Sequence, residues 1–416
     1  MAHIGHQTMK RLLMIAFHFP PLSGSSGIQR TLRFARYLPN NGWEPIVLTA
    51  HPRAYARTSP DQLQDVSPDL RVVRAQAWDT ARHLSIGGRY IGAMAQPDRW
   101  RSWKYDAVHK GMRLIRELKP AAIWSTYPIA TAHLIGQALH ERSGLPWIAD
   151  FRDPMAQADY PADPTTWQQF KAIETQAAKN AAAMVFTTPS ARDDYRDRYP
   201  HAAARIHLIE NGYDEAPFSD IAPATTPLAP GRITLLHSGI VYPSERDPRP
   251  LLDAVARIKA TTPDLARKLL IRLRACGHEG FVKQEIISRD ISDLVETQPP
   301  VPYREALEEM CRADALLVMQ ASNCNAQIPA KLYEYFRAGR PLIGLTDPAG
   351  DTARTLRNAG VTAIASLDDP AAIEALLRAT LEGKGEAFHP SAEYVRGCSR
   401  EARTAEFAAL LEQSTR

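Results

Sequence analysis

Short apolar runs alternate with amphipathic stretches along nearly the whole chain. From Arg11 the order is LLMIAF, then GIQRTLRFARYLPNNG, then EPIVLTA, which predicts a strand, a helix and a second strand. Ile28, Leu32, Ala35 and Leu38 recur at helical spacing, and Gly42 follows the expected helix end, where a left-handed backbone favours glycine. The same alternation runs through LRVVRA, a helix around Met112 to Leu118, AAIWST, a helix from Ile129, PWIADF, a long helix near Trp167 to Ala182, AMVFTT and IHLIEN. Strands this uniformly apolar, separated by helices, predict a parallel sheet covered on both faces.

Periodicity stops in the stretch 215–232, where Pro, Ala and Thr dominate, and this predicts an interdomain linker. It resumes at Ile233 with ITLLHSG, a helix from Leu251, LLIRLRACG, a helix near Tyr303 to Ala313, DALLVMQ, IPAKLYEYFRAG and PLIGLT, with further units to about Leu381. The expected fold class is therefore α/β, with two Rossmann-like doubly wound parallel-sheet domains facing a cleft, over 1–214 and 233–390. The segment 391–416 clusters Phe407, Leu410 and Leu411 and is expected to form a helix that packs back on the first domain.

A length of 416 residues accommodates two such domains, and 44% hydrophobic with 23% charged residues is ordinary for a folded globular chain. A net charge of +4 without a long Lys/Arg block gives no nucleic-acid footprint, while leaving room for peripheral contact with an anionic membrane. Cys276, Cys311, Cys324 and Cys398 lack metal or disulfide spacing, so reduced thiols in a cytoplasmic protein are expected. No run of about 18 apolar residues is present, and neither a DxD pair nor a His cluster suggests a metal. The short apolar run near the N-terminus reads as a first strand rather than a leader.

The richest chemistry lies in IPAKLYEYFRAGRPLIGL, 328–345. Pro329 suits a first helical turn, and Gly339 with Pro341 suits a stop. Unfilled amides at that helix start, with Lys331 beside them, would receive a diphosphate, and Glu334 one turn deeper would accept ribose hydroxyl hydrogen bonds. The helix follows strand DALLVMQ, on the edge where open α/β sheets hold ligands. The opposing reading is an ordinary helix with a solvated Lys and Glu. Gly24, Ser25, Ser26 and Gly27 follow the first strand and precede a helix, so their amides could approach a diphosphate, or form a plain turn.

Taken together, FPPLSGSSGIQR (19–30), NGWEPIVLT (41–49), IADFRDP (148–154), IENGYD (209–214), HSGIVYPSERDP (237–248), VPYREALEEMCRADALLVM (301–319) and IPAKLYEYFRAGRP (328–341) resemble, in order, the retaining glycosyltransferases of GT-B fold in the large family 4 group, which includes polysaccharide and lipopolysaccharide assembly enzymes. The resemblance implies a donor held mainly by the C-terminal half. It implies that Glu334 is the second acid of the family's Glu-x7-Glu motif and contacts ribose; the first acid is replaced by Ala326. Gly239 and Arg246 resemble the glycine and basic residue used around the donor phosphates, although Arg246 lies one position later than usual, and it could instead pair with Glu245 or Asp247 on the surface.

The expected catalytic residues are Lys331, Arg246 and Asp153, with Gly27, Gly239, Arg246, Ile328, Lys331, Leu332 and Glu334 contacting the donor. Asp150, Arg152 and Asp153 would orient the acceptor, and His18 and His133 are candidates near the same edge or satisfied structural histidines. The expected activity is transfer of a sugar from a UDP- or GDP-type nucleotide sugar to a glycan or lipid-linked acceptor, with no further cofactor. A nucleotide-sugar epimerase of the same fold and a non-catalytic scaffold, suggested by Ala326, are the alternatives. A nicotinamide dehydrogenase fits less well, because no GxGxxG closes the first strand-helix turn.

Overall fold

The computed structural model describes residues 9–25, 27–221, 226–384 and 388–416. The extreme N-terminus, Ser26 of the glycine loop and linker residues 222–225 lie outside the described residues. The chain divides into two compact units: Met1–Glu210 with Arg400–Arg416, and Asn211–Ser399.

Unit 1 holds seven parallel strands, β1 Lys10–Ile15, β2 Trp43–Ala50, β3 Arg71–Ala75, β4 Ala122–Thr126, β5 Trp147–Arg152, β6 Ala183–Phe186 and β7 Ile206–Leu208. Their order in the sheet is β3-β2-β1-β4-β5-β6-β7. The apolar run of β1 has two cores to fill. Leu13 and Ile15 enter the core on one face of the sheet, and Leu12 and Met14 the core on the other. That is why the strand shows no polar alternation. The helix Gly27–Tyr37 and the terminal helix Arg400–Ser414 cover the second face, where the Phe34 and Phe407 rings stack at 4.7 Å.

Unit 2 holds six parallel strands, β8 Ile233–Ser238, β9 Leu269–Arg274, β10 Val295–Gln298, β11 Ala315–Gln320, β12 Leu342–Thr346 and β13 Ile364–Ala365, ordered β10-β9-β8-β11-β12-β13. β10 escaped the sequence reading. Its VETQ is mostly polar, which a strand tolerates at a sheet edge with one neighbour.

The boundaries differ from those expected. The stretch 215–232 begins with a helical turn, Ala216–Ser219, whose Phe218 is buried beside Tyr213 in a core of unit 2. A buried aromatic orders a segment whatever its proline content. Residues 391–399 also stay with unit 2, because the Tyr213 amide donates to the Cys398 carbonyl at 3.1 Å; the terminal segment joins unit 1 only from Arg400.

In each sheet the strand order reverses once, between β1 and β4 and between β8 and β11. Loops leaving those strands diverge and open a crevice at their carboxyl ends. No helix among the described residues is long and apolar enough to cross a membrane.

Candidate functional site

At the reversal point of unit 2, β8 ends on Ser238 and turns at Gly239, whose φ of 129° is open to glycine. Lys331, the first residue of the helix Lys331–Ala338, reaches back and donates its ammonium to the Ser238 carbonyl at 2.6 Å. The position of a Cβ on residue 239 would overlap Lys331 Nζ, so this placement of the lysine depends on the glycine. Tyr335, one turn on, fixes the same strand end by accepting from the Ser238 amide at 2.8 Å.

Arg246 folds back over this strand end. Its guanidinium donates to the carbonyls of Met319 (3.2 Å) and Ile240 (3.1 Å) and to Gln320 Oε1 (3.4 Å). Asp247, the acid beside it, is taken by Arg249 at 2.6 Å. Arg246 is thus no surface ion pair: neutral oxygens hold it, and among the described residues no carboxylate neutralises it. Burial, then the nearby Arg246 charge, lowers the Lys331 pKa to about 8, against a weaker opposing pull from Glu334. Two cations on one strand edge, neither in an ion pair with a carboxylate, favour an anion between them.

The histidine preceding Ser238 completes this cluster. His237 is buried, and its Nδ1 lies 2.9 Å from the Leu317 carbonyl. A carbonyl can only accept, so Nδ1 carries the proton and Nε2 presents a lone pair that meets no partner. Burial, then the Lys331 charge, drives its pKa well below the usual value and keeps the ring neutral.

The helix starts two residues later than Pro329 suggested, with Ala330 as its cap. Pro329 instead supplies the carbonyl that accepts the Leu332 amide at 2.9 Å. Leu332 is therefore engaged through its amide and buried through its side chain, and Ile328 is likewise packed into the core. Glu334 is half-buried and accepts from the Tyr303 hydroxyl at 2.7 Å. Ala326, where the family acid is absent, is exposed.

On unit 1, Gly27 opens the helix Gly27–Tyr37 after β1. A Cβ there would lie 2.6 Å from His18 Nδ1 and 3.0 Å from Arg152 Nη1. The missing side chain makes room for these two groups as well as for any ligand. The Gly27 amide donates to Ser25 Oγ at 3.2 Å, and its carbonyl accepts from Arg152 Nη2 at 2.9 Å. Arg152 ends β5 in a left-handed conformation, φ 62°, and also donates to Thr126 Oγ1 at 2.9 Å. Asp150 is buried and grips Arg30 through both carboxylate oxygens, at 2.7 and 3.2 Å.

Asp150 and Arg152 thus hold the strand end together, while Asp153 is exposed beside them. His133 is fully buried, bonded to Ser125 at 2.8 Å and packed on Phe151, with its pKa lowered to about 3 by burial and then Arg152. That is a structural environment. His18 bonds Ser25 at 2.9 Å and is lowered to about 4, again by burial and then Arg152.

The structure therefore gathers Gly239, Arg246, Lys331 and Glu334 in unit 2, and places Gly27 and Asp153 in unit 1. The sequence reading missed His237, Gln320, Tyr303 and Tyr335. Only His237 and Gln320 had a signal, as polar residues closing apolar strands. No group of three His, Cys, Asp or Glu side chains among the described residues could hold a metal ion.

Residues 27–216 match the family described as Glycosyltransferase Family 4. HepE of Anabaena, solved with UDP and glucose, is similar over 97% of this chain and 100% of its own, at 13% identity and a TM-score of 0.64. A glycosyltransferase of Rickettsia africae matches 98% of both chains at 10% identity and 0.63. The lipopolysaccharide outer core galactosyltransferase WaaB matches 97% of this chain and 99% of its own at 9% identity and 0.62. A sequence search of curated proteins finds no match. With two parallel α/β sheets of this topology, the chain has the GT-B fold of these solved glycosyltransferases, and its residues 27–216 match the Glycosyltransferase Family 4 model.

Proposed function

We propose that the chain transfers a sugar from a nucleoside-diphosphate sugar to a glycan or lipid-linked acceptor, with retention at the anomeric carbon. One observation carries this reading: Lys331 and Arg246 meet at the end of β8, both held by neutral oxygens. A diphosphate supplies the missing negative charge. The positive end of the dipole of the helix Lys331–Ala338 adds to their charge, and Glu334 receives the ribose hydroxyls from the Tyr303 side.

In the reaction the bond from the anomeric carbon to the diphosphate oxygen breaks, and the electron pair leaves with the diphosphate. An acceptor hydroxyl forms the new bond and passes its proton to the departing diphosphate oxygen. Charge grows on the diphosphate as the bond breaks, so fixed cations stabilise the transition state more than the ground state. Asp153, exposed at the end of β5, is assigned to orienting the acceptor hydroxyl.

HepE supports a uridine donor by analogy, since it has been solved with UDP and with UDP-glucose. Calorimetric titration with UDP and GDP, followed by product analysis with a labelled nucleotide sugar, tests the reading. Sugar joined to an acceptor with its anomeric configuration kept is expected. Inversion would remove retention, an epimerised nucleotide sugar would replace transfer by epimerisation, and no nucleotide binding would end the donor assignment.

A further inference from the structure

In unit 1 the chain leaves β5 through residues 153–156, and both ends of that exit are fixed. At the near end Arg152 reaches Gly27 and Thr126, and its carbonyl accepts from the Thr187 amide and hydroxyl, each at 2.9 Å. At the far end the Met155 amide donates to the Tyr195 hydroxyl at 3.0 Å, and the Ala156 amide donates to Glu174 Oε1 at 2.7 Å. Met155 and Ala156 are buried, so these amides have no water to turn to. Only Asp153 and Pro154 span the gap, and Asp153 is exposed between the two anchors.

The far anchor converges on Glu174, a fully buried residue of the helix Pro164–Asn180. Its Oε1 accepts from the Tyr195 hydroxyl as well as from the Ala156 amide. Its Oε2 accepts from the Tyr199 hydroxyl and from Arg198 Nη1, each at 3.0 Å. Arg198 Nη1 also donates to the Ala156 carbonyl at 2.9 Å, and its guanidinium lies 4.0 Å over the Tyr195 ring. The Tyr195 hydroxyl acts as a relay: it takes the Met155 amide proton and gives its own to Glu174. One carboxylate thus ties two helices, Pro164–Asn180 and Pro189–Arg198, to the exit of β5.

Stability alone gives no reason for a charge in this place. A buried carboxylate gives up its hydration, and the bonds it regains offset that loss only roughly, so an apolar side chain of similar size often fills such a space at equal or lower cost. What an apolar side chain cannot supply is direction. It would leave the Ala156 amide without an acceptor and remove the relay that holds Met155.

We propose that Glu174 is a positioning residue for sugar transfer: through the Ala156 amide, Tyr195 and Arg198 it fixes the exit of β5 and so aims Asp153 at the acceptor hydroxyl. This rests on the acceptor role given to Asp153 above. A carboxylate held between two anchors needs no ordering as the transition state forms, and a displacement of about 1 Å in a group that orients a reactant is enough to cost roughly a hundredfold in rate.

Two readouts test it. Hydrogen exchange followed by mass spectrometry reads the amides of residues 155 and 156, which should exchange about tenfold faster or more in Glu174→Gln, while β5 keeps its wild-type protection. Turnover is read with labelled UDP-glucose, as sugar passed to methyl glycosides or to water, in a cycle of Glu174→Gln and Asp153→Asn. Glu174→Gln should lower kcat by about tenfold with donor KM changed by less than about twofold, and should cost less than about twofold more once Asp153→Asn is present. Equal losses in both backgrounds, or a wild-type kcat in Glu174→Gln, overturn the proposal and leave Glu174 a structural residue only. If Glu174→Gln does not fold, Tyr195→Phe takes its place in the cycle, with exchange read at residue 155. Titration with UDP reads the donor site separately. Lost UDP binding ends the donor reading, whereas intact UDP binding with wild-type kcat in Asp153→Asn ends the acceptor role of Asp153 and this proposal with it.

Discussion

Lys331 occupies the space that a side chain on Gly239 would need, and its ammonium rests on the carbonyl of Ser238. The cation is thereby held at the end of β8, one residue from the turn and close enough to Arg246 for that charge to lower its pKa. Most of what the unit 2 site can do follows from that placement.

Lys331→Ala should lower kcat and kcat/KM together, with a smaller change in donor KM, because its partner charge develops late in bond breaking. Lys331→Gln should be nearly as damaging. Steady-state kinetics at saturating acceptor decide the matter: wild-type kcat in Lys331→Ala would end the catalytic assignment, and a raised KM alone would reduce Lys331 to ground-state binding.

Donor affinity should fall as pH rises through about 8, where the free Lys331 loses its charge. Because the folded pKa is depressed below the unfolded value, the charged lysine costs stability below about 8, and this cost is relieved toward about 10.5, where the unfolded chain also loses the proton. Binding and stability should therefore move in opposite directions over that window. Titrating UDP at several pH values, with thermal unfolding alongside, checks both signs. A Lys331→Arg variant should lose the pH dependence of binding, since a guanidinium keeps its charge.

Glu334→Ala should weaken nucleotide binding by about tenfold or more while leaving the fold intact, since the half-buried carboxylate is read as receiving two ribose hydroxyls. Tyr303→Phe removes the hydroxyl that occupies Glu334 in the free protein and should change affinity by less. Unchanged donor affinity of Glu334→Ala in a calorimetric titration would sink the ribose assignment.

Phe407→Ala should destabilise unit 1 by about 3–5 kcal/mol, because a fully buried ring stacked on Phe34 is deleted and leaves a cavity. Denaturant unfolding measures it, and a loss under about 1 kcal/mol would mean that the terminal helix contributes little.

The alternation of apolar runs and amphipathic helices by itself determined the two parallel sheets, since a strand such as LLMI can be apolar throughout only if both faces are covered. The spacing of Phe407, Leu410 and Leu411 likewise marked a helix with a face to bury, and that face lies in unit 1. The boundaries were less legible. Proline and alanine content says where regular structure is disfavoured, but the burial of Phe218 and the Tyr213–Cys398 hydrogen bond decide which unit owns a segment.

For the site, local sequence indicated that Lys331 and Glu334 share a helix start and that Gly27 opens another. It could not tell a solvated arginine from one held by neutral oxygens at Arg246, because the difference lies in Met319 and Gln320, more than seventy residues away in sequence. Nor could it show that Tyr303 reaches Glu334, or that His237 is buried with a free lone pair. Periodicity is a property of neighbours along the chain, whereas charge compensation depends on groups brought together across strands. The first was readable from residues in order, and the second existed only once the sheet had closed.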